Sequence, residues 1–150
     1  YLPGFKKVRR VAAHNMTQSF AGSDFSNEDM STVSWTSSYT ATLDREDDTH
    51  WYLNCVPKPG TDISYARAIV KINKQSFFQD GVEYFNKAGE KVKVFENGNP
   101  TKFAGGMRNK NVLVTDPRTG HKTMLEVKDF RANQGLSDQM FTVRQLEWGR

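Results

Sequence analysis

A chain of 150 residues with 37% hydrophobic and 25% charged side chains, and a mean hydropathy of −0.69, is the size of one globular domain able to bury a single core. No apolar run approaches the roughly 20 residues that a membrane-crossing helix needs, and the composition is not that of a disordered chain. The 21 basic residues are interspersed among 17 acidic ones, so the net charge of +4 is spread and defines no single-signed face.

The opening, YLPGFKKVRRV, has no initiator Met and no charged-then-apolar leader, and it already reads as extended structure, as expected of a piece of a longer chain. Next comes FAGSDFSNEDM, Phe20 to Met30, with a Ser-Asp pair, two further carboxylates and two phenylalanines. Ser26 followed by Asp29 resembles a capping box, so SNEDM predicts a turn or two of helix.

From Tyr39 onward, alternation outweighs helical spacing. SYTATLD sets Tyr39, Ala41 and Leu43 on one side of a strand, with Ser38, Thr40 and Thr42 opposite. The acidic DREDDT is a turn. HWYLNCV then alternates Trp51, Leu53 and Cys55 against Tyr52, Asn54 and Val56, and PKPG ends it because proline cannot continue a central ladder. ARAIVKIN places Ala66, Ala68, Val70 and Ile72 against Arg67, Ile69 and Lys71. GVEYFN and EKVKVFENG predict a hairpin around Lys87-Ala88-Gly89, with Asn97-Gly98 as the next turn. NVLVTD, the turn PRTG and HKTMLEVKDF form another hairpin, in which Thr123, Leu125 and Val127 share the covered face; MFTVRQLEW is expected to be the last strand. About eight short strands with hairpin turns predict an antiparallel meander, either a curved sheet or a barrel.

Four chemistries compete for this scaffold. His14, His50 and His121, with Asp24 beside Ser23, do not form a nucleophile elbow or any hydrolase spacing, and a mid-strand Cys55 lacks the electropositive setting of a thiolate and reads as a small buried hydrophobe. Asp44, Glu46, Asp47, Asp48 and His50 offer oxygen ligands but lack the Gly and terminal Glu of an EF-hand, so a solvated turn is expected, with no metal and no cofactor. Lys6, Lys7, Arg9 and Arg10 suggest single-stranded nucleic acid, yet alternation sends Lys6 and Arg10 one way and Lys7 and Arg9 the other. The fourth is an apolar cavity lined by Trp35, Tyr39, Trp51, Leu53, Val70, Ile72, Tyr84, Val94, Val114, Leu125, Val127 and Phe141, for which the alternative is an ordinary filled core.

Taken in order, YLPGFKKVRRVA, SFAGSDFSNEDM, VPKPG, RTGHKTMLEV and MFTVRQLEW resemble the C-terminal part of the LolA-like outer-membrane lipoprotein-sorting proteins. The resemblance implies a mainly β fold: a curved antiparallel sheet, an incomplete LolA-like half-barrel with one or two short helices. It implies that residues 1–150 are a single LolA-like domain without the family's N-terminal helix and first strands. The implied function is that of a non-enzymatic periplasmic lipid or lipoprotein carrier or chaperone that shields acyl chains, membrane-anchored or not in full length, working with membrane-associated transport partners and not with nucleic acid.

Within that frame Phe20, Ser23, Asp24, Phe25 and Ser26 are expected to form a structural corner, its polar groups satisfying backbone donors and its two rings anchored on the apolar face. Lys6 and Arg10 are candidate contacts for head groups or a partner. Open sheet edges predict self-association. An envelope sensor or protein-interaction module on the same fold is the alternative function, and single-stranded nucleic-acid binding the second.

Overall fold

The computed structural model describes residues 1, 5, 7–8, 15–31, 34–104 and 106–148. Seven strands pair with their sequence neighbours in the order β1 to β7, all antiparallel, in one open sheet that does not close into a barrel. They are β1 Tyr39–Glu46, β2 His50–Pro57, β3 Arg67–Asn73, β4 Gln79–Phe85, β5 Lys91–Phe103, β6 Gly106–Thr115 and β7 Lys122–Glu126. A one-turn helix α1, Trp35–Ser38, leads directly into β1.

The alternation read from the sequence fixes two faces. Leu43, Leu53, Val70, Val82, Phe95, Val114 and Thr123 lie opposite one another across the seven strands, and residues two apart from each share their side of the pleat. The core sits on this side, around Tyr39, Cys55, Ala68, Val70 and Val82, with Trp35, Leu53, Ile63, Ile72, Tyr84 and Phe95 packed against it. The other face carries Arg45, Tyr52, Lys71, Gly81 and Glu96 in register. Gly81 has a packing reason to be glycine: a Cβ there would lie 2.8 Å from the Phe95 carbonyl oxygen.

Two boundaries differ from the sequence reading. Asn97-Gly98 does not turn the chain; β5 runs on to Phe103. Beyond Glu96, β5 pairs only with β6 among the described residues, which accommodates Pro100, and Asn99 at φ 54°. The second correction is at the C-terminus. MFTVRQLEW is no strand: it forms the end of a 3-10 helix, Asp138–Phe141, and a helix α2, Val143–Trp148. Ser137 caps that first turn through its side chain, which accepts from the Gln139 backbone N–H, and Thr142 accepts from Gln145 in the same way, so local caps override the alternation.

SNEDM is likewise a turn, although its capping box is made in full: Ser26 Oγ accepts from the Asp29 backbone N–H at 3.1 Å, and Asp29 Oδ2 accepts from the Ser26 backbone N–H at 2.7 Å. The segment holding it supplies a cover that the strands alone lack. It runs over the apolar face from β7, where Asp24 meets Thr123, to β5, where Phe25 and Asp29 meet Phe95 and Lys93, and on to Ser64 and Tyr65 before β3.

A candidate ligand cavity beneath the covering segment

The cover is anchored at three points by different physics. At the first, the Asp24 backbone N–H donates to Thr123 Oγ1 at 3.0 Å, the Thr123 hydroxyl donates back to the carboxylate at 2.6 Å, and His121 Nδ1 lies 3.0 Å from both carboxylate oxygens. The Thr123 hydrogen bond, with His121 adding to it, holds the Asp24 carboxyl below the ordinary carboxylate range. The second anchor is apolar. Phe25, buried, meets Phe95 edge to face at 5.8 Å, a burial that contributes about 1.5–3 kcal/mol.

The third anchor is a buried polar cluster. Asp29, its side chain 1% exposed, pairs with Lys93 at 2.5 Å and accepts from the Tyr65 hydroxyl at 2.9 Å. Beside it Glu28, also buried, accepts from the backbone N–H of Ser64 at 3.0 Å and from the Ser64 hydroxyl. Each carboxylate has the several donors that burial demands.

The residues expected to form a corner, Phe20 and Ser23 to Ser26, lie at a turn of the covering segment. A tight turn at Ala21-Gly22, both at positive φ, closes it, and the Phe20 backbone N–H donates to Phe25 at 2.7 Å. Ser23 and Ser26 satisfy local backbone groups, whereas Asp24 reaches across to β7 instead of capping its own turn. Phe20, 44% exposed, is not an anchor; the turn that brings Phe25 inward turns it away.

Where the cover stops short of β1–β3, the apolar face stays open. A cavity of ≈360 Å³ lies there, walled by Trp35, Tyr39, Leu53, Cys55, Val70 and Ile72. Its floor is strand side chains two residues apart on neighbouring strands, and α1 swings Trp35 over its rim, with the Trp35 and Tyr39 rings 4.8 Å apart. A second cavity of ≈420 Å³ lies against the polar anchor, lined among others by Glu28, Asp29, Tyr65, Tyr84 and Arg108. Trp35, Tyr39 and Gln79 line both. Burial first, and then the charge of Glu28, push the Tyr39 phenol up to about 12; Tyr65 and Tyr84 are raised chiefly by burial too. All three are neutral hydrogen-bond donors near pH 7. Both volumes fall within the range of roughly 300–1,000 Å³ common to small-molecule sites.

Of the residues expected in an apolar cavity, Trp35, Tyr39, Leu53, Val70 and Ile72 come together in the first chamber and Tyr84 in the second. Val114 and Leu125 lie farther along the same face, and Val127, just past β7, continues their parity. Trp51 shares the face but packs on Phe77, ring to ring at 5.9 Å, beside Lys74. Val94 is on the opposite face, paired with Glu83 and Thr115; the residue that points inward is Phe95. Phe141, 72% exposed in the 3-10 helix, is remote from the cavity because the strand meant to carry it does not form.

Residues that the sequence reading did not place in the site are Glu28, Asp29, Tyr65, Gln79 and Phe95. Of these only Phe95 left a signal, as the aromatic neighbour of a valine in an alternating run.

Lys6, Arg10 and His14 lie outside the described residues. The acidic loop is engaged internally: Asp47 accepts from the backbone N–H groups of Thr49 and His50, both at 2.8 Å, and Glu46 pairs with Lys74 at 2.6 Å. On the far face a wider groove of ≈760 Å³ is lined by mixed charges such as Arg45, Lys71, Asp80 and Glu96. Its walls mix polar and apolar groups about equally, whereas the first chamber is almost wholly apolar.

A protein-family model described as an uncharacterized-protein family matches residues 1–148. The chain belongs to that family. Three solved structures share its fold. A Vibrio parahaemolyticus domain whose name assigns it to outer membrane lipoprotein sorting superposes with a TM-score of 0.85 at 25% identity, over 98% of this chain and 64% of its own. A DUF1329 family protein from Desulfovibrio piger gives 0.90 at 28% identity, over 97% and 62%. A LolA superfamily protein from Nitrosomonas europaea gives 0.72 at 20% identity, over 87% and 60%. The fold is thus LolA-like. The chain spans about three fifths of the length of these structures. A comparison with curated proteins gave no match.

Proposed function

We propose that the chain is a non-enzymatic carrier that shields lipid or lipoprotein acyl chains in the bacterial periplasm and passes them to membrane-associated partners in outer-membrane lipoprotein sorting. The observation that carries this reading is the open apolar chamber walled by Trp35, Tyr39, Leu53, Cys55, Val70 and Ile72, on a sheet whose structural relatives include a domain named for lipoprotein sorting. Hydrophobic burial supplies binding energy with little directional demand, which suits a cargo that has to be released again. Each methylene taken from water contributes about 0.8 kcal/mol.

Calorimetric titration with a series of single-chain acyl esters below their micelle concentrations tests the proposal. Two added methylenes are expected to tighten binding about fifteenfold until the chamber is full, and Trp35→Ala to weaken every member. Affinity independent of chain length, or unchanged by Trp35→Ala, would refute the carrier reading.

A further inference from the structure

The second cavity differs chemically from the first, and the two are joined by shared walls at Trp35, Tyr39 and Gln79. At that junction Tyr39 is 5% exposed, and its hydroxyl makes no hydrogen bond to any described residue. Nor is that oxygen sealed in: the buried side-chain atoms without a partner among the described residues are Asn54 Oδ1 and Asn109 Oδ1. A buried phenol lining two cavities, with no partner among the described residues, has a donor to offer.

Past the junction the chamber becomes polar, with two carboxylates, Glu28 and Asp29, on its wall. Asp29 is neutralised by Lys93, while Glu28 receives two hydrogen bonds from Ser64 but no cation among the described ion pairs. Arg108, exposed, is the one basic side chain on the chamber wall among the described residues. An anion placed inside would sit beside the buried Glu28 carboxyl group.

We infer that this chamber is a head-group subsite that accepts acyl esters with an uncharged or cationic head and disfavours anionic ones, the Tyr39 hydroxyl donating to the ester carbonyl at the junction and Glu28 facing the head. The inference rests on the carrier reading, since it takes the acyl chain to occupy the first chamber. The ester is positioned where apolar wall gives way to polar, and Gln79, which lines both chambers, is the other polar side chain at that junction among the described residues.

The test uses the 150-residue chain and probes of one acyl length: a monoacylglycerol, an acylcholine, the free fatty acid, a lysophosphatidylglycerol and a 1-O-alkylglycerol ether, each titrated calorimetrically below its micelle concentration. The first two are expected to bind at least about tenfold more tightly than the two anionic probes. Glu28→Gln should shrink that gap to about threefold or less while leaving the monoacylglycerol close to its original affinity. Tyr39→Phe should weaken the monoacylglycerol about tenfold but leave the ether, which has no carbonyl, unchanged. Because Glu28 is buried, each variant's melting curve is compared with that of the parent, and Tyr39→Phe stands alone if Glu28→Gln does not fold. Equal affinity for neutral and anionic probes, or an equal loss of ester and ether in Tyr39→Phe, overturns the head-group assignment and leaves the carrier intact. Failure of every probe to bind overturns both.

Discussion

Replacing Asp29 by Asn probes what holds the cover to the sheet. The substitution keeps the shape and one acceptor oxygen, but it leaves the Lys93 ammonium, 13% exposed, without its counter-ion. Breaking one half of a buried pair typically costs about 3–5 kcal/mol, because the remaining charge stays desolvated. At about 2–4 °C per kcal/mol for a domain of this size, the midpoint should fall by about 6–20 °C. Lys93→Met should cost a similar amount by stranding Asp29, and the double variant should recover much of the loss, with a coupling of about 1–3 kcal/mol. Urea and thermal unfolding of the four proteins give the cycle. The Ser26 amide, which donates to Asp29 at 2.7 Å, reports separately by hydrogen exchange whether the cover comes away before the sheet unfolds. Single losses below about 1 kcal/mol that simply add in the double variant would refute the view that this pair fastens the cover.

Two further outcomes follow from the same geometry. Asp24 titrates below the ordinary carboxylate value when folded, because the Thr123 hydroxyl and then His121 favour its charged form, so its contribution is complete above about pH 4 and is lost as pH falls through the lower folded value. Urea midpoints measured from about pH 5 down to 2 should therefore fall less steeply for Asp24→Asn than for the parent, and superimposable curves would count against the anchor. At the sheet edges, β1 and β7 each pair with a strand on one side only among the described residues, and Leu43 and Met124 are exposed on them. Sedimentation velocity should show concentration-dependent self-association that Leu43→Lys reduces; a monomer at every concentration would refute edge pairing.

Much of the sheet was legible because a strand's side-chain period is two and the faces differ in polarity. The runs from Tyr39 to Leu43, Trp51 to Cys55 and Ala68 to Ile72 predict their own inward residues, and the register agrees. The method fails where both parities are apolar. In Val94-Phe95 either residue satisfies the pattern, and a register irregularity between Tyr84 and Phe85 of the neighbouring strand removes any simple count from the hairpin turn. At the C-terminus Met140, Phe141, Val143 and Leu146 read as a strand by composition, but the backbone there is helical and those side chains are exposed, so no tertiary partner among the described residues enforces the extended form.

The polar half of the site was illegible for a different reason. Local spacing reveals that Ser26 and Asp29 close a capping box, which is a contact three residues apart, and the same Asp29 gives no hint of Lys93, 64 positions later, or of Tyr65, 36 positions later. Nothing in SNEDM distinguishes a carboxylate that faces water from one buried against a sheet; the difference is made by Phe25, which inserts beside Phe95 and draws its neighbours down with it. Once that ring is buried, Glu28 and Asp29 cannot remain solvated, and the desolvation cost can be met only by donors already on the apolar face: Lys93 on β5, with Ser64 and Tyr65 before β3. The two chambers meet at Tyr39 as a consequence, since the cover brings charge over one part of the face and leaves the part beside α1 apolar.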